Sequence, residues 1–395
     1  MSITNNTNIE ITPLKKRGKV GHFSNSLVFV AACAGLAFFG VSMLALGPIL
    51  SGIGTHTNGL PSTLSLGIII GTVIFGPVVD KFGYKWLLII GSLLALAGIQ
   101  GLVHFNNINT LHAAMLSLGI GGGILNGETN ALVATIYDNS QRGSKLSILG
   151  AFYCVGALFW TLLNYFIPEY YTLPLNIVSL IMIAFVIFFF TINFPPAQAQ
   201  TKVSLKTIFS FIKYPALLLF ALLLFFQSGF EGITGNFTVQ FLEKKYPTPH
   251  EAAVLSLTSF IIGMLAGRFL LGWFIKKVSN DTTLYIYLMI ALAGVAILYF
   301  PLGVTLVYVA MALIGLGVGA TYPVVFNYLG NTFKDMSGTA FSIAIFIALW
   351  GQFTFNKITG LLFNHNHFRY FPVMLTIAVV TMMLLLPLAK RNIKD

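Results

Sequence analysis

Apolar runs of about twenty residues recur twelve times along this 395-residue chain, and that recurrence decides which solvent the folded protein faces. They fall at 26–53, 62–79, 86–105, 111–137, 146–168, 172–194, 214–242, 252–275, 283–301, 304–331, 338–362 and 368–388. A soluble domain carries about 25% charged residues. Here 8% are charged and 56% hydrophobic, with a mean hydropathy of +0.86. Too little polar surface exists to cover a water-soluble particle, so lipid is the expected solvent. Lipid offers backbone groups no partner, so a spanning segment is a helix or part of a closed barrel. Barrel strands alternate apolar and polar residues, whereas 181–190 is apolar at every position. The spacing therefore predicts an all-α membrane protein of twelve spans. The first, fourth, seventh and tenth are long enough to be tilted or bent.

Charge is distributed by side. Seventeen of the 22 Lys and Arg fall on the side of the N-terminus. Only Lys244, Lys245 and Arg369 fall on the other, while Arg268 and Lys357 sit within spans. This bias predicts cytoplasmic N- and C-termini. It accounts for the net charge of +11 as topology and argues against a nucleic-acid partner. Residues 1–25 are polar and hold no apolar core of a signal peptide. Both cysteines, Cys33 and Cys154, fall inside predicted spans, so neither a disulfide framework nor a cysteine metal site is expected. No cofactor is expected.

A shift of 196 residues brings the chain into register with itself. Gly67, Gly71 and Gly76 meet Gly263, Gly267 and Gly272, and Lys81 meets Lys277. Gly119, Gly121 and Gly123 meet Gly315, Gly317 and Gly319. Because each copy holds six spans, both enter the membrane from the same side and form parallel repeats. The expected organisation is a tail at 1–25, a six-helix bundle at 26–194, a linker at 195–213, a second bundle at 214–389 and a tail at 390–395. Such an arrangement places a solute between two halves that rock against each other. A monomer is expected, because the two halves already supply the interface.

The loop after the second span reads Gly76-Pro77-Val78-Val79-Asp80-Lys81-Phe82-Gly83-Tyr84-Lys85. It resembles the G-x-x-x-D-[RK]-x-G-[RK]-[RK] signature of the major facilitator superfamily, with Trp86 in the last basic position. Gly76, Asp80, Lys81 and Gly83 are the gating-loop candidates. In the second half Lys276 takes the place of the aspartate. Four further fragments are similar to the fucose permease-like branch, whose members are sugar:proton symporters. They are Gly127-Glu128-Thr129-Asn130, Gly229-Phe230-Glu231-Gly232, Gly267-Arg268-Phe269 and Tyr322-Pro323. The likeness implies a bacterial inner-membrane symporter with a small solute and protons as partners. One departure stands out. That branch carries an acid shortly before a proline in the first span, and here Gly40–Pro48 holds none.

Of the eleven acidic residues, only Glu128 and Glu231 lie well within spans. A charge at a helix centre costs about 2.5–3.5 kcal/mol on insertion scales, so such residues line a cavity, pair, or stay protonated. In the superfamily the first and fourth helices of each half line the pathway, so the resemblance puts both glutamates there as proton-coupling candidates. Asn126 and Asn130 flank Glu128, while Gln227, Asn236 and Gln240 accompany Glu231. Their amides supply the donors and acceptors that sugar hydroxyls need. Tyr153 and Trp350 offer flat faces for a sugar ring. Arg268 and Lys357 are candidate counter-ions. The expectation is that Glu128 binds solute and exchanges a proton, with Glu231 as the second coupling candidate.

An efflux pump or an uncoupled facilitator of the same superfamily is the nearest rival. Drug exporters tend to carry G-x-x-x-G-P in the fifth span, and 150–160 lacks that proline. An enzyme is disfavoured, because the seven histidines lie mostly in loops or span ends and no H-E-x-x-H or nucleophile elbow occurs.

Overall fold

The computed structural model describes residues 23–53, 57–168, 171–196, 213–246, 248–274, 277–300, 303–333 and 337–392. Twelve helices among them are long and apolar enough to cross a membrane. They are α1 (Asn25–Leu44), α2 (Thr57–Phe75), α3 (Lys81–His104), α4 (Ile108–Ile136), α5 (Ile148–Phe166) and α6 (Thr172–Thr191). The second six are α7 (Pro215–Lys245), α8 (His250–Gly272), α9 (Asn280–Ile297), α10 (Val304–Thr332), α11 (Thr339–Asn364) and α12 (Tyr370–Arg391). No strand occurs among the described residues. Most of the expected N-terminal tail, residues 197–212 of the expected linker and 393–395 of the C-terminal tail lie outside the described residues.

Two long spans break, each at a proline. The first was expected to continue to 53, but α1 ends at Leu44 and irregular chain follows. Pro48 has no N–H to give the Leu44 carbonyl four residues back. That oxygen instead accepts the Gly47 N–H at 3.1 Å and the Trp160 indole N–H at 2.9 Å. In α10, helix Val304–Val318 ends at Gly319 and a second piece, Thr321–Thr332, begins. Pro323 lacks the N–H that would reach the Gly319 carbonyl. The fourth and seventh spans run unbroken.

Glycines set the crossings within each half. A Cβ on Gly119 would stand 2.3 Å from the Leu64 carbonyl oxygen, and one on Gly315 would stand 1.9 Å from that of Phe260. Gly121 meets the Gly91 oxygen at 2.5 Å, and Gly317 meets the Tyr287 oxygen at 2.5 Å. Every member of the second set lies 196 residues beyond its counterpart. The repeat read from sequence is thus a repeat of backbone contacts, in which helices touch without side chains between them.

At the predicted gating loop, α2 and α3 run as one helical stretch, Leu60–His104, interrupted only at Gly83. Its φ of 77° with ψ of 170° belongs to a region that side chains forbid, so glycine is required there. Lys81 is exposed, with its Nζ 5.1 Å from the Phe82 ring centre. The side chain of Asp80, and Gly76 beside it, lie outside what the structure describes.

Candidate functional site: a polar cluster between the halves

The centre is built on α7, where Gly229, Gly232 and Gly235 bracket Glu231. Their bare surfaces admit close neighbours from both directions. Phe355 and Gln352 of α11 press on Gly229 and Gly232, and Leu44 of α1 presses on Gly235. Glu231 is left half-buried at mid-helix. Its Oε1 accepts a hydrogen bond from the Tyr153 hydroxyl of α5 at 3.0 Å, which joins the two halves.

Arg268 of α8 comes from the same side. Its guanidinium carbon lies 5.7 Å from the Tyr153 ring centre, within cation–π range. Its Nη1 donates to the Gly150 carbonyl at 3.2 Å and to Cys154 Sγ at 3.4 Å, both on α5. Its Nε has no partner among the described residues. Tyr322, at the break in α10, shares a 2.5 Å hydrogen bond with Ser228 of α7. Guanidinium, carboxylate and two phenols thus meet where α5 of one half faces α7, α8 and α10 of the other.

A second set of contacts joins the halves farther from the basic loops. Asn356 Nδ2 donates to Ser65 Oγ at 2.9 Å, and Asn58 Nδ2 donates to Asn364 Oδ1 at 3.0 Å. Gln352 Nε2 reaches Met43 Sδ at 3.4 Å. Backbones close in as well. A Cβ on Gly360 would lie 2.1 Å from the Asn58 oxygen, and one on Gly47 would lie 2.2 Å from that of Gly235. Several amides keep an unused acceptor. The oxygens of Gln227, Asn236, Gln240 and Asn356 are buried without a partner among the described residues. Gln227 spends its N–H on the Val318 carbonyl at 3.3 Å, and Asn236 spends one on Gly232 at 2.8 Å.

The predicted site residues divide between locations. Tyr153, Glu231 and Arg268 gather as described, while Gln227, one turn before Glu231 on α7, bonds the Val318 carbonyl of α10, and Asn236 lies farther along α7. Glu128 stands apart, against the expectation that it shares the centre. It is fully buried beside the α3 backbone at Leu88, and among the described residues neither carboxylate oxygen has a hydrogen bond of good geometry. The reason is helical phase: Glu128 lies on the face of α4 that carries Gly121 and Leu125, which pack on α3. Asn130 is exposed and returns its amide to the Asn126 carbonyl at 2.8 Å. Trp350 is 40% exposed and lies edge-on to Phe353 at 5.5 Å, on the protein surface and not over the cluster.

The counter-ion expectation also changes. Among the described residues the ion pairs within 4.0 Å are His250–Glu243 and Lys390–Asp281, so neither Arg268 nor Lys357 has a carboxylate that close. Tyr153 stands between Arg268 and Glu231, and Lys357 is exposed on α11 near His112. Sequence reasoning missed Gln352, Asn356, Ser65 and Met43. The i, i+4 amide pair 352/356 inside an apolar span was the available signal.

Comparison with known proteins agrees with this architecture. The Major Facilitator Superfamily profile matches residues 26–356. The chain is 25% identical over 286 residues to the MFS-type transporter YfkF of Bacillus subtilis, covering 69% of this chain and 70% of that one. It is 27% identical to a D-xylose transporter of Levilactobacillus brevis, over 36% of this chain and 33% of the relative. It is 28% identical to the multi-drug resistance efflux pump PmrA of Streptococcus pneumoniae, over 42% and 44%. Among solved structures, the nucleoside transporter NupG superposes with a TM-score of 0.76 at 13% identity, covering 93% of this chain and 99% of that one. A D-xylose-proton symporter gives 0.71 at 16%, over 90% and 97%. The Escherichia coli fucose:proton symporter gives 0.65 at 16%, over 93% and 98%. The chain belongs to the Major Facilitator Superfamily, and it is a multi-pass membrane transporter and not an enzyme.

Proposed function

We propose that the protein is a secondary transporter that moves a small hydroxyl-rich solute, a sugar, together with protons by alternating access. The observation that carries this reading is the Tyr153–Glu231 hydrogen bond, which ties the halves through an ionisable group. A hydrogen bond to a charged acceptor contributes about 1.5–3 kcal/mol. Protonation of Glu231 removes that charge and weakens the tie, so proton occupancy and the relation of the halves are linked. The unpartnered amide oxygens of α7 and α11 ask for O–H donors, which sugar hydroxyls supply. One relative named for D-xylose transport, and folds shared with xylose and fucose symporters, support the solute class.

In this reading Glu231, not Glu128, is the principal coupling carboxyl. Arg268 holds its electrostatic environment, and Tyr153 and Tyr322 are the aromatic contacts. The termini and basic loops are cytoplasmic, and the contacts at Asn58, Ser65, Asn356 and Gly360 close the outer side. The described state then takes solute from the cytoplasmic face or releases it there. The likeness to PmrA supports a second reading, proton-coupled export through the same cluster.

Reconstituted liposomes with an internal pH-sensitive dye test both. Addition of xylose, fucose or other hexoses is expected to give a solute-dependent pH change that Glu231→Gln abolishes. The absence of any pH change with these sugars would reject sugar symport. A pH change retained by Glu231→Gln would remove that residue from coupling. Release of a preloaded apolar cation on acidifying the exterior, with no response to sugar, would favour export.

A further inference from the structure

Away from the central cluster, the outer wall of α1, α5 and α6 is cut by a groove of about 380 Å³. Phe29, Ala37 and Val41 of α1 and Phe152, Val155 and Phe159 of α5 form two of its walls, and α6 closes the third. From Phe29 to Val41 the groove rises about 18 Å, roughly the depth of one leaflet. Val155 and Phe159 are exposed apolar residues, so the groove opens toward lipid.

Its basic end is not apolar. The helix of α5 begins at Asn139, ahead of the apolar span, and carries Arg142 and Lys145 there. Lys145 Nζ lies 5.1 Å from the ring centres of both Phe29 and Tyr137. It makes no ion pair within 4.0 Å among the described residues, and Arg142 Nε is buried without a partner. Residues 142 and 145 are neighbours on a helix surface, and 145, 152 and 159 follow one another along the same face. One stripe of α5 therefore runs from two cations into the groove, and Phe29 touches both parts.

We infer that this groove binds an anionic phospholipid of the basic-side leaflet, its phosphate on Arg142 and Lys145 and one acyl chain between α1, α5 and α6. The charge decides the occupant. A zwitterionic lipid fills the apolar part equally well but gains less from two cations that have no ion pair within 4.0 Å among the described residues, beside a negative leaflet. The site is separate from the solute cluster, although α5 also carries Tyr153, so an occupied groove bears on the helix that reaches Glu231.

Native mass spectrometry of the full purified chain, titrated with phosphatidylglycerol or phosphatidylcholine of identical acyl chains, tests the assignment. Phosphatidylglycerol is expected to be retained preferentially. R142Q/K145Q should weaken its retention by about thirtyfold, and the charge-keeping R142K/K145R should restore it. Val155→Trp fills the groove without altering charge and should also lower retention. Melting temperatures of all variants separate loss of lipid from loss of fold. Equal retention of both lipids, or phosphatidylglycerol retention unchanged in R142Q/K145Q, overturns the proposal and leaves a non-specific annular contact. Loss in R142Q/K145Q together with full retention in Val155→Trp overturns the acyl-groove assignment.

Discussion

In the first half, Gly119 and Gly123 meet the carbonyls of Leu64 and Ile68; in the second, Gly315 and Gly319 meet those of Phe260 and Met264. The crossings are copies at an offset of 196 residues. The buried charges are not. The position 196 beyond Glu128 is Val324, fully buried in apolar surroundings, and the position 196 before Arg268 is Thr72. Glu231, Arg268 and Tyr322 all come from the second half, and the first half contributes Tyr153 to meet them. Helices that touch backbone to backbone need glycine wherever they cross, so each half keeps its set. One site at the centre needs a single set of charges, which either half can supply.

That contrast is open to attack in four ways. The largest effect is expected from Glu231→Gln, which should abolish the solute-dependent pH change in liposomes and with it pH-driven accumulation of solute. Glu128→Gln, measured alongside, should keep most of it. The opposite pattern would move coupling into the first half.

Gly119→Leu and Gly315→Leu should each cost about 3 kcal/mol by overpacking a backbone contact, read as loss of folded yield and melting temperature in detergent. Similar losses sharpen the equivalence of the halves, and a strong imbalance breaks it. A smaller change, in the other direction, is expected at Glu128. Among the described residues its two buried oxygens have no hydrogen bond of good geometry, so Glu128→Met should raise stability by about 2 kcal/mol. A drop instead would mean that the carboxyl is held by a contact this state does not show. The smallest effect belongs to Trp160→Phe, which removes the indole donor to Leu44 at the break in α1 and should cost about 1 kcal/mol. No change in thermal melting would show that the Gly47 N–H alone satisfies that carbonyl.

Much of the scaffold was legible in the residues themselves. Lipid accepts only backbone that satisfies itself, so apolar length alone reports twelve helices. The glycine spacing reports which helices approach closely, because a missing side chain at a crossing is a local property of the sequence. Gly83 was named from the loop motif, and the structure supplies the physical reason for glycine there, a backbone conformation that excludes side chains. The bend in α10 was likewise signalled by span length, and Pro323 sets it.

The site was legible by residue type and not by partner. Glu128 and Glu231 look alike in sequence, each a lone acid beside a glycine in an apolar span. What separates them is helical phase. One turns toward α3 inside its own half, and the other turns toward α5 of the opposite half. Trp350 and Lys357 drop from the centre for a related cause: both lie on the exposed face of α11, while its Gln352 and Asn356 face the other half. Sequence by itself determined the number of spans, their parallel duplication and the few charges available to a central site, because these depend on local composition and spacing. Only the tertiary structure decided which charges meet, because that depends on how each helix is rotated about its axis and on which neighbour the glycines let in.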